Sequence, residues 1–148
     1  MPADRPVPFE TTLLVRDCCL CLHVQRAARS LARRFDEVLR PFELTNGQFS
    51  LLMSLNRPEP PPMAPVAKLL AMDRTTLTAA LKPLQRRGLV KILEDPADRR
   101  SRVLKLTRKG ENLLARAVPT WEATHREIEA LIPGGEPEEL RRGLRALS

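Results

Sequence analysis

Between Asp73 and Thr107 the sequence sets out a helix followed by a long-tipped hairpin, and few folds accommodate both at these lengths. Leu77, Leu81 and Leu84, with Ala80 beside them, recur at helical steps and define an inward stripe over residues 74–87. Asp73 precedes that stripe as an N-cap, and Gly88 follows it where a left-handed residue ends a helix. Pro83 removes one hydrogen bond inside the helix and predicts a slight bend. Residues 89–93 and 102–106 then read as strands around residues 94–101, a polar turn too long for a two-residue hairpin. The outward side of the helix carries Thr75, Thr76, Thr78, Ala79, Lys82 and Arg86.

The chain's 25 Lys and Arg outnumber its 18 Asp and Glu, and the surplus is not spread evenly. Residues 63–110 hold 12 basic and 4 acidic side chains, a net of +8, while the rest of the chain nets −1. A merely soluble surface mixes both signs throughout. One contiguous cationic stretch is the footprint expected of a surface that binds a polyanion. A helix fits the major groove of a duplex, where threonine hydroxyls can bond base edges and their methyl groups can touch thymine. Taken alone, Thr75-Thr76-Leu77-Thr78 is no more than a polar helix start; the basic hairpin behind it changes its meaning. The expected readers on the helix are Arg74, Thr75, Thr76, Thr78 and Ala79, with Lys82 and Arg86 further along, where a phosphate strand would pass. On the hairpin they are Arg99, Arg100 and Arg102, with Asp98 among them, because an arginine at a narrow tip suits the minor groove.

Residues 12–40 read as one long helix ended by Pro41. Its apolar stripe runs through Cys18, Cys21, Leu22, Ala28, Leu31, Ala32, Phe35, Val38 and Leu39, with Gln25 the one polar member. A helix of that length spans ~40 Å, more than one small lobe can cover, so a second subunit is its expected partner. Thr45 with Gln48 three residues on forms a capping box for a second helix, which buries Phe49, Leu51, Leu52 and Leu55. Five prolines in residues 57–65 predict a stiff loop. A short helix over 66–70 and a tight turn at Ala71 and Met72 then lead to Asp73. Thr107 caps a helix over 108–132 that Pro119 bends, and a last amphipathic helix over 136–147 shows Leu140, Leu144 and Leu147 on one side. The expected fold class is therefore mainly α with a small β-hairpin wing: a winged helix-turn-helix flanked by N- and C-terminal helices, the first of which needs a second subunit.

The stretch Asp95-Pro96-Ala97-Asp98-Arg99-Arg100-Ser101-Arg102 through Leu106-Thr107-Arg108-Lys109-Gly110 resembles the wing signature of the MarR family of transcriptional regulators. The family's Asp-x-Arg pair falls on Asp98 and Arg100, and its Leu-Thr-x-x-Gly falls on Leu106, Thr107 and Gly110. Leu44-Thr45 with Gln48-Phe49, and Leu84 through Gly88-Leu89-Val90, match the family pattern as well. The likeness covers roughly residues 18–131. It implies a single MarR-type domain over 1–148, with dimerisation helices at about 12–40 and 108–148 and a DNA-binding lobe at about 44–107. It further implies a homodimer on a pseudo-palindromic double-stranded operator, usually acting as a repressor that a small molecule or an oxidant releases. By the same pattern Asp98 holds Arg100 or the wing in shape, and either Arg99 or Arg100 enters the minor groove.

Three cysteines remain, an odd number that argues against a disulfide framework and for thiols in a reducing, cytoplasmic compartment. On a continuous helix Cys18 and Cys21 share the buried face, as small apolar residues would, while Cys19 points elsewhere. The sharper reading is redox sensing. Counting back from Gln48, Cys21 falls where the organic-hydroperoxide-sensing branch of the family carries its reactive thiol, with Cys18 its neighbour. That branch positions its thiolate with tyrosines, and this chain has none. Cys18, Cys21 and His23 cannot complete a tetrahedral metal shell without a second chain, so no metal and no cofactor is expected. A small effector would sit in a cleft lined by His23, Arg26 and Trp121, although packing roles suit the histidine and the tryptophan too. A thiol oxidoreductase built on Cys18-Cys19-Leu20-Cys21 is disfavoured because the motif lies inside a helix, not at a helix start after a strand. Two histidines, no tyrosine and no glycine-rich phosphate loop leave few parts for any enzyme. No run approaches the ~18 apolar residues of a membrane span, and the polar, Pro-rich residues 1–10 lack the apolar centre of a signal peptide.

Overall fold

The long helix expected over residues 12–40 is instead two helices, α1 (Phe9–Cys18) and α2 (Leu20–Leu39), in the computed structural model, which describes residues 6–148. The first five residues of the polar start lie outside that description. Cys19 breaks the helix with an extended backbone (ψ 109°). Its carbonyl accepts the His23 N–H at 3.1 Å and lies 2.8 Å from His23 Nδ1. Asp17, Cys18 and Cys19 are three weak helix formers in a row, so the ladder gives way there. This corrects the shared buried face: Cys18 and Cys21 fall on different helices and both are exposed, while Cys19 is half-buried.

The chain divides into two compact units, one ending at Arg34 and one running from Phe35 to Ser148. In the first, none of the described residues is buried, and Phe9, Leu14, Leu20 and Val24 are exposed. Helices gain most of their stability from packing an apolar face, and these have no core of their own.

The second unit begins with the end of α2 and a 3-10 turn, Arg40–Phe42, that places Glu43 at φ 53°. Thr45 then opens α3 (Asn46–Ser54) with the expected capping box: its hydroxyl accepts the Gln48 N–H and the Gln48 side chain accepts the Thr45 N–H, each at 3.1 Å. Asp36 reinforces that start by accepting the Asn46 backbone N–H at 2.7 Å and its Nδ2 at 2.8 Å. The proline loop is shorter than expected, because α4 (Met63–Leu69) starts three residues before the expected Val66 and takes Pro65 into its first turn, where a missing N–H costs nothing. Ala71 (φ 52°) turns the chain and Asp73 opens α5 (Arg74–Arg86).

Gly88 (φ 72°) ends α5 and leads into β1 (Val90–Glu94), which pairs antiparallel with β2 (Arg102–Leu106) in a register running from Val90 opposite Leu106 to Glu94 opposite Arg102. Pro61 and Pro62 extend this hairpin: Pro61 O accepts the Leu104 N–H at 2.9 Å, and Pro62 bridges to Val103. Prolines fit there because the edge asks them only to accept. Thr107 opens α6 (Arg108–Glu129), three residues shorter than expected, and α7 (Pro137–Ala146) follows a 3-10 turn at Pro133–Gly135.

The core of this unit joins Leu39 and Leu44, Phe49 and Leu52 of α3, Val66 of α4, Leu77, Leu81 and Leu84 of α5, Leu104 of β2, and Leu114 and Ala117 of α6. Burying each leucine is worth about 1.5–3 kcal/mol. The outer face of α5 is therefore held by its inner one. Leu140, Leu144 and Leu147, the stripe of the last helix, remain 43–64% exposed.

Candidate nucleic-acid interface

The α5 face is built from the cap outward. Asp73 Oδ1 accepts the Thr76 N–H at 2.7 Å, and this hydrogen bond, with a further one from the Thr76 hydroxyl, holds the Asp73 carboxyl below its ordinary range. Its charge also complements the positive end of the helix. The lone acid beside the reading face is thus already engaged. Arg74, Thr75, Thr76, Thr78, Ala79, Lys82 and Arg86 are all exposed, whereas Leu77, Leu81 and Leu84 are fully buried. Thr78 Oγ1 donates to the Arg74 carbonyl at 2.8 Å, which fixes its rotamer and leaves its lone pairs and methyl group outward.

The wing tip is two successive turns. Asp98 N–H bonds to Asp95 O at 3.2 Å and Ser101 N–H to Asp98 O at 2.9 Å, while Asp95 N–H closes the base on Ser101 O at 3.1 Å. Each acid stiffens a turn by accepting a backbone N–H two residues on: Asp95 from Ala97 at 2.9 Å and Asp98 from Arg100 at 3.0 Å. Asp98 thus shapes the wing by holding the Arg100 backbone, as one arm of the family expectation has it. Arg102 turns inward, and its guanidinium donates to the carbonyls of Arg99 (3.1 Å) and Ser101 (3.3 Å). Arg99 and Arg100 are left exposed at the tip.

Among the described residues no ion pair involves Arg74, Lys82, Arg86, Arg99 or Arg100; the paired acids lie elsewhere, Asp17 on α1 and Glu111, Glu129 and Glu138 on α6 and α7. Between the start of α5 and the wing base lies a cleft of about 410 Å³, lined by Met63, Lys68, Met72, Arg74 and Arg102 among others.

Two contacts that the sequence does not announce hold the far end of α5. Arg87 donates to the Glu43 carbonyl at 2.6 Å, and the Lys109 ammonium donates to the Arg87 carbonyl at 2.8 Å. These partners lie 44 and 22 residues apart, beyond any local pattern. The only local signal was the basic pair at the C-terminal end of the helix.

The expected effector residues divide between the two units, His23 and Arg26 in the first and Trp121 in the second. His23 and Arg26 line a shallow depression of about 620 Å³ with Ala27, Arg29, Ser30 and Arg33, all of them on α2. Trp121 instead stacks on Phe49 (5.9 Å), Phe35 (6.4 Å) and His125 (4.7 Å). Cys21 Sγ accepts from Gln25 Nε2 at 3.1 Å. No group of described residues could hold a metal ion, and no helix among them is long and apolar enough to cross a membrane.

The sequence model of the MarR family matches residues 44–101, the helix-turn-helix and most of the wing. The transcriptional regulator HosA of Escherichia coli O111:H- is 34% identical over 98 residues, which cover 65% of this chain and 71% of HosA. The HTH-type transcriptional repressor NicR of Pseudomonas putida is 35% identical over 77 residues, covering 52% of this chain and 49% of NicR. The M. tuberculosis transcriptional regulator MosR, crystallised in complex with DNA, is 37% identical with a TM-score of 0.79, covering 87% of this chain and 92% of MosR.

Proposed function

The chain belongs to the MarR family of transcriptional regulators, and from that premise we propose that it is a cytoplasmic homodimer that binds a pseudo-palindromic double-stranded operator as a repressor and is released by a small ligand or an oxidant. The observation that carries this reading is the cationic surface of α5 and the wing tip. It is exposed and free of acidic partners, and the surface is held rigid from behind. In the proposed complex α5 lies in the major groove, where Thr75, Thr76, Thr78 and Ala79 read bases and Arg74, Lys82 and Arg86 meet phosphates. Arg99 or Arg100 enters the minor groove from a tip stiffened by Asp95, Asp98 and Arg102. The apolar faces of α1, α2 and α7, uncovered in one chain, supply the dimer interface. Two such lobes reach half-sites about one helical turn apart, roughly 34 Å, so a change in lobe spacing costs affinity.

Fluorescence anisotropy with the duplex upstream of the protein's own reading frame tests this. We expect binding whose logarithm falls linearly and steeply with the logarithm of salt concentration. Absent or salt-insensitive binding would overturn it.

Oxidant release is favoured by the exposure of Cys18 and Cys21 beside a helix break. A hydroperoxide would convert one thiol to a sulfenic acid, leaving as the alcohol, and a second thiol would close a disulfide with loss of water. Thiol titration before and after peroxide should fall by two groups per chain, with loss of DNA binding. An unchanged titre leaves release to a ligand alone.

A further inference from the structure

Outside residues 63–110 the chain nets −1, but that balance conceals a stretch with no acid at all. Residues 18–35 hold four arginines and neither Asp nor Glu. Three of them, Arg26, Arg29 and Arg33, follow one another at three- and four-residue steps, so they share one face of α2. All three are exposed, and among the described residues none of them enters an ion pair. Arg29 donates only to the neutral Gln25 side chain, at 3.3 Å. The acids on either side are engaged elsewhere, Asp17 with Arg16 at 2.6 Å and Asp36 with the Asn46 N–H at 2.7 Å, and Glu37 lies beyond the end of the stripe. The depression of about 620 Å³ along this face is lined by His23, Ala27 and Ser30 besides the arginines. Small-molecule sites are lined mostly by apolar side chains. Ala27 is the one apolar residue here, so nothing along the stripe would bury the body of a small ligand. A charged polymer needs no such wall.

We propose that Arg26, Arg29 and Arg33 bind the phosphate backbone of duplex DNA without regard to sequence, as a second contact separate from α5 and the wing. The seven residues from Arg26 to Arg33 span ~10 Å of helix. A DNA strand carries one phosphate per about 3.4 Å of its axis, so the stripe faces about three phosphates in succession. Guanidinium groups pair well with phosphate oxygens. Between the arginines stand only Ala27 and Ser30, too short to reach into a groove, so this face follows backbone and not bases. Such backbone has two sources, the flanks of the duplex that α5 holds or a second duplex, and the chemistry of the contact is the same for both. The stripe lies wholly in the first compact unit, whereas α5 and the wing belong to the second. The contact therefore stands whether or not α5 is the reading helix.

The test is fluorescence anisotropy of the full-length protein on a duplex of unrelated sequence. Arg26→Gln with Arg29→Gln and Arg33→Gln removes the charge and keeps the helix propensity; the same three positions changed to lysine keep the charge. We expect the glutamine variant to lose at least about tenfold in affinity at low salt. The slope of log affinity against log salt should shrink by about 2 to 3, with the lysine variant close to wild type. Lys82→Ala with Arg86→Ala, Arg99→Ala and Arg100→Ala should still bind this duplex, and should lose that binding when the glutamines are added. Unaltered affinity and slope in the glutamine variant overturn the site, as does a lysine variant as weak as the glutamine one. A glutamine variant that sediments as a monomer where the wild type is a dimer also overturns it, because the stripe then faces a second copy. Capture of a second labelled duplex by protein bound to the duplex upstream of its own reading frame, lost with the glutamines, supports the contact and assigns it to another duplex. Affinity that grows with flank length and shows no such capture supports it on the flanks. A wild type with no preference for the upstream duplex refutes the proposed function, and the slopes still decide the stripe.

Discussion

Replacing Gly110 by alanine sets two physical rules against each other. Gly110 lies in the first turn of α6, where alanine should gain about 1 kcal/mol of helix propensity. A Cβ there would lie 2.4 Å from the Leu89 carbonyl oxygen and 2.7 Å from Leu106 Cδ1. The first distance is roughly 1 Å inside the ~3.3–3.6 Å at which a carbon meets a carbonyl oxygen. The oxygen belongs to backbone and cannot swing aside. It also accepts the Thr107 N–H and hydroxyl, each at 3.0 Å, so moving it strains the joint between the wing and α6. Overpacking costs about 3 kcal/mol at this severity and the weakened hydrogen bonds about 1 kcal/mol more. Subtracting the propensity gain leaves a net loss of about 3 kcal/mol, or a fall in melting temperature on the order of 10 °C for a chain of this size. Urea unfolding at one fixed protein concentration measures it, since an associating protein's stability depends on concentration. Gly47→Ala is the internal control. Nothing lies within 4 Å of its Cβ position in α3, so it should stabilise by roughly 0.5–1 kcal/mol. If Gly110→Ala proves as stable as the wild type or more so, the close approach of β1 to α6 is wrong.

Three further outcomes follow from the geometry. Lys82→Ala with Arg86→Ala should weaken operator binding almost uniformly across sequences and lower the salt slope by about 1 to 2, whereas Thr76→Ala should relax sequence preference at one position. Asp36 is held below its ordinary range chiefly by the Asn46 backbone N–H and then by the Asn46 side chain, as Asp73 is by Thr76. Depressed carboxyls stabilise the fold above their unfolded value, and that contribution is lost as pH falls through and below the ordinary carboxylate range. Asp36→Asn with Asp73→Asn should therefore flatten the acid limb of the stability–pH curve; an unaltered limb would refute those contacts. Leu140→Glu with Leu144→Glu should turn the proposed dimer into monomers in sedimentation equilibrium, and a variant that still sediments as a dimer would remove α7 from the interface.

The helix-turn-helix was legible because its signals are local. Thr45, Asp73 and Thr107 cap the helices they were expected to cap, and the leucines of α5 repeat at helical steps. Gly88 marked the end of α5 because glycine advertises a left-handed residue. Glu43 and Ala71 take the same left-handed conformation (φ 53° and 52°) without that signature, so those turns were placed from Pro41 and from the caps Thr45 and Asp73 that follow. The break at Cys19 was hidden by an apolar periodicity that runs straight through it, because periodicity records which face is apolar and not whether the ladder is continuous. In the candidate interface, exposure of the α5 residues could be read from the pattern. The inward turn of Arg102 and the hold of Lys109 on Arg87 could not, since both depend on how distant segments meet.

The central claim is that two copies of the α5 face and wing read one duplex together. Selection of duplexes from a random-sequence library by the purified protein tests it most directly. The account predicts enrichment of an inverted repeat with half-site centres about 10 base pairs apart, lost when Arg99 and Arg100 are both replaced by alanine. Recovery of unrelated sequences, or of single half-sites with no symmetric partner, would contradict it.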